Sequence, residues 1–255
     1  MLNVDIFVVL FCLSILIYAS QSDIRKRSVS NIPWLAMITV GIVLLILRVV
    51  TSGTYLLGQA ALSLVLTLAV SYLFFRIGLF GAADAKCLIS VAVLFPVSPS
   101  LVILSHRFPL FSPVLPEIFP FALSTLMNAA LLAMVVPFVL GFRNLLDLGF
   151  GGFWQQLGMV FTSYQMPIAQ LAKRKQVRLV YPCPDKDGKL GRAPAFGGVE
   201  INDEIIKQLE SYQKAGKLGN EVWVTPELPF IVFTTAGFMV ALLVGNLVFA
   251  LAIRG

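Results

Sequence analysis

The sequence predicts an all-α polytopic membrane protein, with about six transmembrane helices and a small α/β insert before the last. Three observations lead there. Only 13% of its 255 residues are charged and 58% are hydrophobic, whereas roughly a quarter of a soluble domain is charged. The apolar residues gather into runs near the ~20 residues that cross a hydrocarbon core as a helix. One long stretch, Phe142 to Thr225, breaks that pattern with charge, Pro and Gly.

The expected spans are Val4–Ser20, Ile32–Val50, Tyr55–Phe75, Ala85–Ser105, Ile118–Leu140 and Pro229–Ile253. The first run lacks a basic leader region and a small-residue cleavage site, so it reads as an anchor and first span. Pro96 and Pro99 interrupt the fourth. These spans divide the chain into three parts. Residues 1–141 form a membrane domain of five spans, 142–226 a soluble insert, and 227–255 the sixth span.

Charge distribution sets the orientation, because basic residues mark the cytoplasmic side. Arg25, Lys26 and Arg27 follow the first span, and Arg143, Lys173, Arg174, Lys175 and Arg178 lie between the fifth and sixth. The turn Thr51 to Thr54 has no basic residue, and the loop after the fourth span has only His106 and Arg107. Both termini are therefore expected outside and the insert inside. The net charge of +6 sits where topology requires it, so no nucleic-acid partner is expected and the lipid bilayer is.

Within the insert, Phe153 to Lys175 mixes aromatics with a basic end and reads as a helix lying at the membrane interface. Val177 to Tyr181 reads as a strand. Asn202 caps a helix from Asp203 to about Ala215 that stops at Gly216. Glu221 to Thr225 reads as a second strand before Pro226.

Few acidic residues lie ahead of the insert: Asp5, Asp23, Asp84 and Glu117. Asp5 and Glu117 fall at expected outer ends, where water solvates them. Asp23 closes the first span in SQSDIRKRSVSN, 18 residues after Asp5, which is about 27 Å of helix. Asp84 opens the fourth span in FGAADAKCL. Topology thus delivers two carboxylates from different helices to one depth, at the inner boundary, where charged groups mark function by default. Neighbouring carboxylates share a proton, one acting as base toward water while the other hydrogen-bonds to a carbonyl. The alternative is that Asp23 pairs with the arginines behind it and Asp84 with Lys86 or Arg76.

Other chemistries are poorly supplied. His106 is the only histidine and is expected outside, so no Ser–His–Asp set forms. Cys12, Cys87 and Cys183 are isolated, without metal-ligand or disulfide spacing. Neither a metal nor a cofactor is expected.

Asp23-Ile24-Arg25-Lys26-Arg27-Ser28-Val29-Ser30-Asn31 resembles the first motif of type IV prepilin peptidases. Gly81-Ala82-Ala83-Asp84-Ala85-Lys86 resembles their second, the GxGD signature with a following Lys. The six spans, the insert and the lead-in Val222 to Phe230 look like the archaeal preflagellin peptidase branch. The resemblance implies an aspartic endopeptidase that removes the short basic leader of preflagellins (archaellins) at the cytoplasmic face, with Asp23 and Asp84 as its catalytic pair. Lys86 and Asn31 match supporting positions. Ala83 stands where the signature has its second Gly, and Ser30 where bacterial relatives commonly carry Pro. The paired C-x-x-C motifs of many bacterial enzymes are absent, as is the Pro-Ala-Leu motif of presenilin-type proteases. Two alternatives remain: a broader prepilin-like leader peptidase, and a proton-coupled carrier relaying through the two aspartates. Asp185, Asp187, Asp203 and Glu204 in the insert are candidates to meet a basic leader.

Overall fold

The computed structural model describes residues 4–103, 105–110, 119–174, 176–184, 190–191 and 198–254. In chain order the elements are α1 (Val4–Lys26), α2 (Ile32–Ser52), α3 (Tyr55–Arg76), α4 (Ala82–Leu94), β1 (Leu101–Ile103), β2 (His106–Phe108), α5 (Phe121–Ala133), α6 (Val135–Gln155), β3 (Tyr164–Pro167), α7 (Ile168–Leu171), β4 (Val177–Tyr181), β5 (Cys183–Pro184), β6 (Leu190–Gly191), β7 (Val199–Glu200), α8 (Asp203–Lys214), β8 (Glu221–Pro226), α9 (Phe230–Leu243) and α10 (Leu247–Arg254). They form two compact units, Met1–Ala133 with Pro229–Gly255, and Met134–Leu228.

Four helices among the described residues are long and apolar enough to cross a membrane: Asp5–Lys26, Ile32–Thr51, Tyr55–Arg76 and Phe121–Gln155, the last joining α5 and α6. The runs expected as fourth and sixth spans form shorter helices. α4 has 13 residues, about 20 Å against a ~30 Å hydrocarbon core. It stops ahead of Pro96, where the Phe95 N–H donates to the Val91 carbonyl at 2.8 Å, and a hairpin of β1 and β2 follows.

α9 ends where the N–H groups of Val244 and Gly245 both donate to the Val240 carbonyl. Gly245 adopts φ +105, a left-handed conformation that glycine takes at least cost. A broken helix leaves backbone groups that apolar surroundings cannot satisfy. Asn128, fully buried on α5, supplies both partners. Its amide NH2 donates to the Gly245 carbonyl and its amide oxygen accepts from the Leu247 N–H, each at 2.9 Å.

The first unit packs around α4 and α9. Its core holds Cys12, Leu16 and Ala19 from α1, Trp34 and Met37 from α2, Cys87, Val91 and Leu94 from α4, and Phe238 and Ala241 from α9. Phe95, Phe121 and Phe238 meet in edge-on and tilted contacts at 5.5–5.7 Å, the offset geometries aromatic rings prefer. Without a hydrophobic drive inside lipid, membrane helices associate where small residues let backbones approach. Gly41 on α2 faces the Val93 backbone so closely that a Cβ would lie 2.9 Å from it, and a Cβ at Gly237 on α9 would lie 2.5 Å from the Thr125 carbonyl of α5. α3 buries only Ser63, Thr67 and Ser71, spaced one turn apart. Asp5 bonds Arg48 at 2.6 Å, so it does more than meet solvent.

The second unit carries an antiparallel sheet in the order β3-β8-β4-β7. Met166, Leu179, Val222 and Val224 from the sheet, with Leu209 of α8, build its core. α8 follows the expected pattern: the Asn202 side chain accepts from the Ile205 N–H at 2.8 Å, and Gly216 beyond the end has φ +70. β4 and β8 coincide with the two expected strands. The expected interfacial helix over Phe153 to Lys175 does not form. Turns, β3 and the four-residue α7 occupy that stretch as far as Arg174, and Lys175 lies outside the described residues. The helical segment is α6 instead. It is broken at Gly149, where φ is +67; Phe142 and Leu146 are exposed before the break and Phe150 and Trp154 after it, while Asn144 donates to the carbonyls of Val160 and Ser163, each at 2.7 Å.

Candidate active site

Asp23 sits in the last turn of α1 and Asp84 in the first turn of α4. The segment between α3 and α4 builds the Asp84 side of the site. Gly78 turns the chain with φ +77, and the N–H groups of Leu79 and Phe80 fold back onto the Phe74 carbonyl. Phe80 is buried against Phe74 and Phe230, with ring centroids 5.0 and 5.1 Å away. That anchor fixes Gly81, whose N–H donates to the Asp84 carboxylate at 2.9 Å. A carboxylate three residues into a helix caps the orphan N–H ahead of it and complements the helix dipole. A Cβ at Gly81 would press on Asp84 Oδ2 at 3.3 Å.

Asp84 lies one residue ahead of the expected fourth span, and burial pushes its carboxyl up to about 6. The Gly81 N–H opposes that rise, and the negative charge of Asp23 adds to it. The Asp23 charge is the lesser of the two influences that raise the Asp84 carboxyl.

Lys86 and Asn31 meet as well. The Lys86 ammonium donates to the Asn31 side-chain oxygen at 2.8 Å, tying α4 to the residue that begins α2. Among the described residues neither Lys86 nor Arg76 forms an ion pair with Asp84. The loop between α1 and α2 is held by Ser22, whose hydroxyl donates to the Ser28 carbonyl at 2.8 Å, and by Arg27 at φ +52. On the far side of α1, the hydroxyls of Ser20 and Thr235 lie 2.8 Å apart, and Thr235 also bonds the Leu16 carbonyl at 3.3 Å.

Sequence reasoning missed the Gly81 cap, the Phe80 anchor and the Thr235 contact. The glycine three residues ahead of Asp84 was a legible signal for the first. The other two depend on α9, more than 140 residues further along. Of the remaining candidates, His106 is exposed in β2, Asp203 and Glu204 are exposed at the start of α8, and Glu117, Asp185 and Asp187 lie outside the described residues. Among the described residues no three His, Cys, Asp or Glu side chains are grouped to hold a metal ion.

Helices long and apolar enough to cross a bilayer define a class, the multi-pass membrane proteins. Residues 10–138 match the model of the type IV leader peptidase family, and the chain belongs to that family. Residues 155–247 match the archaeal peptidase A24 C-terminus, type II. The chain is 27% identical over 237 residues to a preflagellin peptidase of Methanococcus voltae, covering 91% of this chain and 92% of that one. It is 24% identical, with the same coverage, to a preflagellin peptidase of Methanococcus maripaludis. A preflagellin peptidase of Methanocaldococcus jannaschii is 20% identical over 245 residues, 91% of each chain. With four apolar helices, this family member is a multi-pass membrane peptidase.

Proposed function

We propose that this chain is an aspartic endopeptidase of the GxGD type that removes the leader peptide from preflagellins at the cytoplasmic face of the membrane. The observation that carries the reading is the partly buried Asp84 at the head of α4, capped by the Gly81 N–H, with its carboxyl pushed up to about 6 by burial and, to a lesser degree, by the charge of Asp23. Family membership and three preflagellin peptidase relatives supply the substrate class.

The chemistry follows from the pair. Asp84 keeps the shared proton and donates it in a hydrogen bond to the scissile carbonyl oxygen. Ionised Asp23 takes a proton from the attacking water as its oxygen bonds to the carbonyl carbon. Collapse of the tetrahedral intermediate breaks the C–N bond, and the departing amine leaves with the proton from Asp23. Lys86, held by Asn31, fixes the approach of α4 beside α2. The same reading takes α4 with the segment that follows it, and α9 with α10, as further crossings. That gives six, with both termini outside and residues 142–226 as a cytoplasmic insert between membrane parts 1–141 and 227–255.

The experiment is cleavage of a preflagellin by membranes carrying wild-type enzyme, Asp23→Asn or Asp84→Asn. Each variant is expected to express normally and to lose processing. Wild-type rates in either variant would remove the dyad assignment. Wild-type cleavage of bacterial-type prepilin precursors as well would broaden the substrate class without changing the mechanism.

A further inference from the structure

α1 has its main packing partner in α9 rather than in α4, so the depth and rotation of its last turn, where Asp23 sits, are set largely from α9. Apolar packing alone defines neither. α9 reads FIVFTTAGFMVALL, apolar apart from Thr234 and Thr235. Inside lipid, such side chains meet lipid tails as readily as a neighbouring helix. Thr234 turns back on its own helix, donating to the Phe230 carbonyl at 3.1 Å. Thr235 is buried and reaches across to α1.

The contacts of Thr235 form a cross-brace. A hydroxyl has one proton to give and two lone pairs to receive. Thr235 gives its proton to the Ile231 carbonyl, one turn back, at 2.8 Å, with the Leu16 carbonyl of α1 as a second acceptor at 3.3 Å. Its oxygen is left to accept from the Ser20 hydroxyl at 2.8 Å, and the Ile231 carbonyl lies 3.4 Å from that same hydroxyl. Leu16 and Ser20 are one turn apart on α1, so a single threonine meets both the backbone and a side chain of that turn. Ser20 stands just under one turn ahead of Asp23, about 4.5 Å of rise. Within a continuous helix, whatever fixes Ser20 in depth and rotation fixes Asp23 as well.

We propose that Thr235 is a positioning residue for cleavage: by bracing Ser20 it sets the register of the last turn of α1, and so the place of Asp23 relative to Asp84. The inference rests on the reading of the two aspartates above and adds what holds one of them in place. Thr235 acts through α1 rather than on the substrate. Displacing a reacting group by about 1 Å is enough to cost ~10²-fold in rate. Interhelical hydrogen bonds in membranes contribute little to stability on average, so the loss of this one is read in turnover.

The test compares full-length enzymes in liposomes cleaving a full-length preflagellin. Thr235→Val keeps the shape and removes the hydroxyl. Its kcat is expected to fall about tenfold with KM little changed, because a reacting group is displaced and no substrate contact is lost. Thr235→Ser restores the hydroxyl and is expected to recover most of the rate. Thr234→Val loses only a bond within α9 and is expected to leave kcat unchanged. Should Thr235→Val fail to fold, Ser20→Ala removes the same bond from the α1 side and carries the same expectation. Wild-type kcat in folded Thr235→Val overturns the inference. So does a Thr235→Ser enzyme as slow as Thr235→Val, or a rise in KM that accounts for the whole loss. Cleavage at the wild-type rate by Asp23→Asn would instead overturn the reading of the aspartate pair.

Discussion

Replacing Asp84 with Asn is expected to abolish cleavage and, at neutral pH, to make the protein more stable. The isostere keeps the oxygen that accepts from Gly81 but removes the charge. Burial raises the Asp84 carboxyl from 3.8 to about 6, a difference worth about 3 kcal/mol at ~1.4 kcal/mol per pH unit. The folded state therefore holds the proton more tightly than the unfolded chain does. Stability from this group is complete below about pH 4, falls as pH rises toward 6, and is flat above that.

Asn carries no such cost at any pH. Because Asp84 is only partly buried, water takes up some of the charge, and about 2 kcal/mol is the gain to expect above pH 7. That is roughly 5 °C for a chain of this size. The three free cysteines, Cys12, Cys87 and Cys183, are all buried, so a thiol-reactive dye reports unfolding in detergent. The variant should melt higher than wild type at pH 7.5 and equal to it near pH 4. An unchanged melting temperature at pH 7.5, or an equal gain at both pH values, would refute the claim that burial raises this carboxyl. Asp23→Asn should give a smaller gain, since the Asp23 charge is the lesser of the two causes raising Asp84.

Three further outcomes follow from specific contacts. Asn31→Ala and Lys86→Met should each lower kcat/KM about fivefold, the worth of an exposed charge-assisted hydrogen bond of ~1 kcal/mol, and the double variant should be no worse than either; additive losses would mean the two residues act separately. Gly81→Ala should lower kcat by displacing the Asp84 carboxyl that its Cβ would meet at 3.3 Å, with KM little changed, in steady-state cleavage. Asn128→Ala strands a buried carbonyl at Gly245 and a buried N–H at Leu247, a loss of about 2–4 kcal/mol that the same dye assay would show as earlier unfolding.

The sequence disclosed whatever depends on local periodicity and local chemistry. Long apolar runs gave α1, α2 and α3, and the pair Asn202 and Gly216 gave both ends of α8. Asp23 and Asp84 could be expected at one depth because topology fixes depth without knowledge of packing. Contacts across the chain stayed hidden. Arg48 lies inside an apolar run, and nothing local says that Asp5, 43 residues earlier, neutralises it. The break at Gly245 is tolerable only because Asn128 completes it from another helix. The amphipathic pattern was visible near Phe153, yet its helical stretch lies earlier, in α6, where Asn144 finds two backbone partners in the turn that follows.

The hydroxyl contact between Ser20 and Thr235 has a consequence for how the protein is made. It binds the helix that carries Asp23 to α9, which is synthesised well after α4, whereas α4, which carries Asp84, is joined to α2 through Gly41 and through Lys86 and Asn31. A nascent chain that has inserted α1 to α4 holds both aspartates but lacks the strut that sets one against the other. On the proposed reading of the two aspartates, cleavage waits for α9 to dock.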